Sequence, residues 1–260
     1  MKSLKKKKKK LYIIKQIKQQ QIQALKRAAK YRREFLGNVS HELKTPIFNI
    51  QGYVHTLLDG AINDSLVNKK YLERTSKSID RLIAIIDDLD ALARLESDEL
   101  KLEKTNWNIL ELIQDVFESF EVKSIKQKIQ LRLPKNKRPI IVFADRDKIS
   151  QVLYNLISNG IKYGKEFGFV KASIENKEKN IIISIQDNGI GIDEKNIPRL
   201  FERFYRVDKG RSREEGGTGL GLAIVKHILE THNETIEVIS KKNSGTKFMF
   251  SIKKINKKEQ

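Results

Sequence analysis

Phe35-Leu-Gly-Asn-Val-Ser-His41-Glu-Leu-Lys-Thr45-Pro-Ile47 reads as a helix with a histidine on its polar side. Around it, Leu25, Ala28, Phe35, Val39, Leu43, Ile47 and Ile50 fall three and four residues apart, the spacing of one helix face. At about 100° per residue, His41 sits about 200° from both Val39 and Leu43, so its imidazole points away from the apolar stripe. Glu42, beside it, can accept the ring proton and leave the other nitrogen as a nucleophile. Thr45 shares the face of His41 one turn on, where a hydroxyl can orient a water. Pro46 has no N–H for the carbonyl of Glu42, so a bend is expected there. A lone histidine on a helix surface is usually only solvated; the string around this one carries the argument.

Working outward, residues 11–58 read as one long helix that stops at Asp59-Gly60. A second runs from Asn68 to Ser97, with Leu72, Ile79, Leu82, Ile86, Leu89 and Ala93 as its stripe. Two long amphipathic helices and a short loop make an antiparallel hairpin. One hairpin cannot bury both stripes, so a homodimer forming a four-helix bundle is expected. From about Leu100 the texture turns to mixed α and β. Helices are expected at Ile109–Val122, Arg146–Tyr163 and Leu220–Thr231. Strands are expected near Ile129–Leu133, Ile140–Ala144, Phe169–Glu175, Asn180–Gln186, Thr235–Ser240 and Thr246–Ile252. The expected fold is therefore α plus α/β, a helical hairpin followed by an α/β sandwich. Its divisions are a basic arm over 1–30, a hairpin over 31–98 and an α/β domain over 102–255.

The α/β half holds a second set of polar residues. Within Arg146–Tyr163, Asn155, Asn159 and Lys162 fall on an arc of about 60°. Two carboxamides and an ammonium on one face suit a hydrated Mg²⁺ and a triphosphate, since oxygen serves the cation and lysine the anion. A solvated polar face is the plain alternative for this helix alone. Next, Asp187-Asn-Gly189-Ile-Gly191-Ile192 follows an apolar strand. Asp187 can accept from an adenine amino group, and the glycines would let backbone approach the base without a Cβ in the way. Gly216-Gly217-Thr218-Gly219-Leu220-Gly221 opens an apolar helix, where bare N–H groups and the helix N-terminus favour phosphate. No Gly-Lys-Ser/Thr follows it, and no acidic residue sits about 20 positions on at a strand end, so it matches neither a Walker loop nor a dinucleotide fingerprint. Between these, Phe201-Glu-Arg-Phe204 leads into a polar stretch that reads as a lid, with Lys209, Arg211 and Arg213 as candidate phosphate contacts. Gly245-Thr246 completes the set.

The first string resembles the H-box of sensor histidine kinases. The later segments, in order, resemble the N, G1, F, G2 and G3 boxes of the ATPase fold shared by histidine kinases, type II topoisomerases, Hsp90-type chaperones and MutL-type repair proteins. The resemblance covers about residues 31–253. It implies a Bergerat-type ATP-binding domain and a phosphoacceptor at His41, with Asn159 and Asn155 at the metal-binding positions and Asp187 at the adenine-binding one. Gly189, Gly191, Gly217, Gly219 and Gly221 match the flexible-loop glycines. Lys162, Tyr163, Ile192, Phe204, Arg213, Thr218, Leu220 and Thr246 complete the expected nucleotide set. One departure is Gly160, where the family usually has alanine. The resemblance implies ATP-dependent autophosphorylation of His41 with Mg²⁺, then transfer to an aspartate of a response-regulator receiver domain. Thr45 would support a phosphatase activity toward that partner. An ATP-driven conformational switch, a serine kinase of the same ATPase fold and a scaffold without turnover stay as alternatives. The first two lack a phosphoacceptor hairpin.

Composition adds limits. The chain has 260 residues, no cysteine and a formal charge of +19. Without cysteine there are no disulfides, thiolate metal sites or thiol nucleophiles. Residues 1–34 hold fourteen Lys or Arg against Glu34 alone, leaving +6 on the other 226. The lysine run Lys5–Lys10 could touch anionic lipid, or simply be a solvated segment. It lacks interleaved aromatics, so no nucleic-acid partner is expected. No stretch reaches the roughly 18 apolar residues of a membrane span. A cytoplasmic location is expected, as a soluble chain or as the internal end of a receptor. His227 and His232 read as structural, and Asp87, Asp88 and Asp90 as a solvated helix face.

Overall fold

The computed structural model describes residues 2–96, 102–136, 138–207 and 217–254, with side chains from Lys15 on except at 24, 27, 28 and 31. Ala28, the Lys5–Lys10 side chains, and Lys209, Arg211, Arg213 and Gly216 lie outside that set. The chain divides into two compact units, Met1–Leu82 and Ile83–Gln260.

Helix α1 (Lys2–Leu58) is continuous and starts well before the expected Leu11. Lysine and glutamine are good helix formers, so nothing in the run Lys5–Lys10 breaks it. The helix continues through Pro46, which is buried. It ends at Gly60, whose φ of 117° suits glycine, and a short 3₁₀ turn leads to α2 (Asn68–Glu96). Exposure revises the expected stripe on α2. Leu72, Ile79 and Ile86 are 56%, 43% and 47% exposed, whereas Ile85, Leu92 and Leu95 are buried. The helix thus has two apolar lines; of the stripe picked from the sequence, Leu82 and Leu89 are half-buried and the rest face solvent. On α1, Phe35, Val39, Leu43 and Ile50 are half-buried, but Leu25 and Ile47 are exposed.

The second unit holds a five-stranded sheet and a two-stranded one. The larger has the order β2-β4-β5-β7-β6, where β2 is Gln130–Arg132, β4 Phe169–Asn176, β5 Asn180–Asp187, β6 Ile236–Lys241 and β7 Gly245–Lys253. All its pairings are antiparallel except β2 with β4. Helix α5 (Arg146–Lys162) packs against β4 and β5, against α3 (Ile109–Ser119) and against α6 (Gly221–Thr231). The core between helices and sheet holds Ile149, Leu153, Leu156, Ile157, Ile181, Ile183, Ile224 and Phe250, all at most 1% exposed.

Three elements differ from expectation. The helix expected over Ile109–Val122 breaks at Phe120, and α4 (Glu121–Lys126) continues beyond it. A strand not foreseen, β1 (Lys104–Asn108), pairs antiparallel with β3 (Ile141–Asp145). It has no apolar alternation, and Trp107 anchors it by donating Nε1–H to the carbonyl of Ala144 at 2.8 Å. Residues Glu194–Arg199 form a 3₁₀ turn inside the expected loop.

His232 is buried and structural, as read. Its Nε2 accepts from the N–H of Asp145 at 3.1 Å and its Nδ1–H donates to the carbonyl of Ile228 at 2.8 Å. Burial lowers its pKa, which keeps the ring neutral.

Candidate functional site

In the first unit, His41 is exposed, as the helix geometry requires. Glu42 turns instead toward α2. Its Oε2 accepts from Arg81 Nη2 at 2.8 Å, with both side chains almost covered (13% and 11% exposed). The carboxylate expected to take the ring proton is therefore held by an arginine 39 residues away. No local signal marks Arg81. The Thr45 hydroxyl donates to the carbonyl of His41 at 3.2 Å, a back-bond within one turn. Thr45 does stay on the histidine face, with its hydroxyl occupied by backbone.

In the second unit, a cavity of about 420 Å³ opens beside α5. Asn155, Asn159, Lys162, Tyr163, Asp187, Gly191, Ile192, Gly217, Thr218, Gly219, Gly221 and Thr246 all line it. The three residues on the α5 arc do reach one space. Asn155 donates Nδ2–H to the carbonyl of Gln151 at 3.0 Å. That fixes its Oδ1 on the side of Gly221, 2.6 Å from where a Cβ of that glycine would stand. An oriented carboxamide oxygen is the donor type a hard, hydrated cation takes. Among the described residues no cluster of three or more His, Cys, Asp or Glu exists, so a divalent ion here would rest on amide oxygens and on its ligand. Lys162 lays its ammonium 5.0 Å from the centre of the Tyr163 ring.

Asp187 ends the central strand β5 and is only 9% exposed. Its Oδ1 accepts from the N–H of Gly189 at 2.8 Å and of Thr246 at 3.2 Å. Burial outweighs these bonds and pushes its pKa up to about 6. Ser240, which the sequence reading passed over, ties the region together. It accepts from the N–H of Ile192 at 2.9 Å, shares a 2.9 Å hydroxyl contact with Thr246, and donates to the carbonyl of Gly245 at 2.9 Å.

Three of the glycines also have a packing reason to be bare. A Cβ on Gly189 would stand 2.1 Å from the carbonyl oxygen of Tyr163, one on Gly191 2.0 Å from that of Lys241, and one on Gly245 2.2 Å from that of Asp187. At these positions chain segments pack against each other too closely for a Cβ. Gly191 and Gly245 also have φ of 63° and 96°. The departure at Gly160 has a similar reason, since a Cβ there would meet the Val170 methyls at 3.0 and 3.2 Å.

Three expected members lie off the cavity wall. Gly189 packs beneath it, Leu220 is fully buried, and Phe204 acts through backbone, donating its N–H to the carbonyl of Gly219 at 2.8 Å. Arg213 lies outside the described residues. Other walls come from Lys123, Arg206 and Phe248, which carry no motif. The acid cluster of α2 needs a correction. Asp87 and Asp90 are exposed, but Asp88 lines the cavity and accepts from the Thr218 hydroxyl at 2.5 Å.

Comparison with known proteins places this geometry. Residues 144–256 match the family described as histidine kinase-, DNA gyrase B- and HSP90-like ATPase, and residues 31–98 match the His Kinase A phospho-acceptor domain. The chain is 38% identical over 223 residues to the sensor histidine kinase WalK of Bacillus subtilis, covering 85% of this chain and 36% of that protein. It thus spans little more than a third of that relative. It superposes on the Acinetobacter baumannii histidine kinase AdeS with a TM-score of 0.66 at 30% identity, over 83% of this chain and 98% of the other. It also superposes on the histidine kinase ThkA, solved in complex with the response regulator protein TrrA, with a TM-score of 0.70 at 29% identity, over 85% and 61%.

Proposed function

The chain belongs to the sensor histidine kinases, and from that we propose that it is an ATP-dependent, autophosphorylating protein histidine kinase that modifies His41. The observation that carries this reading is one cavity lined by Asn155, Asn159, Lys162 and Asp187 in a chain that also exposes His41 within a phosphoacceptor string.

In this reading residues 31–98 are the phosphoacceptor hairpin and residues 102–255 the catalytic domain. ATP lies in the cavity with its adenine amino group on Asp187. Its phosphates lie along Gly217–Gly221 and Lys162, with Arg213 as a further contact. Mg²⁺ would be held by the amide oxygens of Asn159 and Asn155, and its charge offsets that of the triphosphate. An imidazole nitrogen of His41 attacks the γ-phosphorus in line, the bond to the β-phosphate oxygen breaks, and ADP leaves. Glu42, once its carboxylate leaves Arg81, takes the ring proton. The phosphoryl group then passes to an aspartate of a response-regulator receiver domain. Thr45, once its hydroxyl leaves the His41 carbonyl, orients water for the reverse hydrolysis. The exposed line Leu72, Ile79 and Ile86 is the surface on which a second copy completes a four-helix bundle.

The test is incubation with Mg²⁺ and γ-labelled ATP. A P–N bond makes the label stable in base and labile in acid. A label that survives acid points to a hydroxyl acceptor and rules the reading out.

A further inference from the structure

The clustered carboxylates Asp87, Asp88 and Asp90 of α2 differ in one respect. Asp87 and Asp90 are exposed, whereas Asp88 sits against the Gly217–Gly221 turn, and Ala84, one turn earlier, lines the same cavity. The Thr218 hydroxyl donates to Asp88 Oδ2 at 2.5 Å and accepts from the N–H of Leu220 at 3.2 Å. Through that hydroxyl, the carboxylate is connected to the first backbone N–H groups of α6. About two turns further along α2, the carbonyl of Leu95 accepts from His227 Nε2 at 2.6 Å, near the other end of α6. The segment of α2 from Asp88 to Leu95 therefore lies along α6, held at both of its ends. Among the described residues the cavity's other charges are Lys123, Lys162 and Arg206 against Asp187. Asp88 is thus an acid in a cavity whose lining also carries cations that suit an anion. Burial pushes its pKa up, the mark of a carboxylate held in a poor place for its charge.

A helix N-terminus attracts phosphate, and a carboxylate held beside it opposes a second anion at the same place. Resting on the reading of Gly217–Gly221 as the phosphate turn, we propose that Asp88 is an internal competitor of the nucleotide phosphates, so that seating α2 on α6 and binding the triphosphate oppose each other. Coupling of this kind is reciprocal: whatever draws α2 off α6 raises nucleotide affinity, and nucleotide in turn releases α2. Because α2 belongs to the phosphoacceptor hairpin, the competition ties the state of the hairpin to loading of the nucleotide site. It needs no ligand beyond the nucleotide.

The experiment is equilibrium binding of the full chain to a non-hydrolysable ATP analogue with Mg²⁺, and separately to adenosine, for the parent, Asp88→Ala, Asp88→Asn and Asp87→Ala. Asp88→Ala should bind the analogue on the order of tenfold tighter than the parent. Asp88→Asn, which keeps the volume and the hydrogen bond but not the charge, should tighten in the same direction. Adenosine, lacking phosphates, should bind all four alike, and Asp87→Ala should match the parent with both ligands. Equal analogue affinity in the parent and both Asp88 variants would overturn the proposal, as would equal tightening by Asp87→Ala, which would mean diffuse charge. Loss of affinity in Asp88→Asn would instead make Asp88 a support of the turn. Failure of every variant to bind either ligand would remove the nucleotide-site reading itself, and the proposal with it.

Discussion

Asp187 is a carboxyl buried at the end of a central strand, at a cost to the fold. Its carboxyl is raised from 3.8 to about 6 by burial. Below pH 3.8 the group is protonated whether the chain is folded or not, and folding is not penalised. As pH rises through 6 the folded state must carry a buried charge, at a cost of about 3 kcal/mol that stays constant above. Asp187→Asn keeps an oxygen for the N–H groups of Gly189 and Thr246 but removes the charge. Thermal unfolding of the nucleotide-free chain at pH 7.5 should therefore shift up by several degrees in Asp187→Asn, and the gain should vanish near pH 3.5. A variant less stable than the parent at pH 7.5 would show that the carboxylate is satisfied as it stands. Thr45 makes the opposite kind of claim, about chemistry without stability. Its hydroxyl is bonded to the carbonyl of His41 and is not placed to take the ring proton. Thr45→Ala should spare autophosphorylation and slow dephosphorylation of the partner regulator about ten- to a hundredfold. Equal loss of both activities would contradict that division. Residue types and spacing singled out Asp187, which lines the cavity, and Thr45, which lies one turn from His41. They could not reveal Arg81 or Ser240, whose partners Glu42 and Ile192 lie 39 and 48 residues away.

At the scale of elements, periodicity read from the sequence located α1, α2, α5, β4 and β5, because each has a face that must be buried and repeats at its own period. It missed β1, whose Lys-Thr-Asn-Trp-Asn is a strand only because β3 and the Ala144 carbonyl are there to pair with it. It also ran α3 past Phe120, which is buried and ends the helix for packing reasons that local propensity does not encode. The choice of Gly160 belongs to this scale. Alanine at mid-helix would normally gain about 1 kcal/mol, yet here its methyl would press on Val170 of β4 at 3.0–3.2 Å. Gly160→Ala should therefore cost stability in the parent background and cost less, or gain, beside Val170→Ala. A double-mutant cycle should give a coupling of about 1 kcal/mol. Strict additivity would mean that the helix and strand can separate without strain.

At the scale of the whole molecule, two apolar lines on α2 require two partners. The buried line of Ile85, Leu92 and Leu95 is covered within the chain, and the exposed line of Leu72, Ile79 and Ile86 is not. The sequence showed that a stripe exists but not which of the two the chain itself would cover, since that depends on how the helices roll against their neighbours. Sedimentation should give twice the chain mass at micromolar concentration, and Ile79→Lys with Ile86→Lys should give a folded monomer. A parent chain that sediments as a monomer and still labels itself would remove the bundle from the account. The central claim is that one chain carries a nucleotide site and a separate acceptor, and both can be read in one comparison. The parent, His41→Gln and Asp187→Asn are each given Mg²⁺ and γ-labelled ATP, with nucleotide affinity and acid-labile label measured side by side. The account predicts that His41→Gln binds nucleotide like the parent and takes no label, whereas Asp187→Asn loses affinity, up to about a hundredfold. An acid-labile label retained by His41→Gln would contradict it.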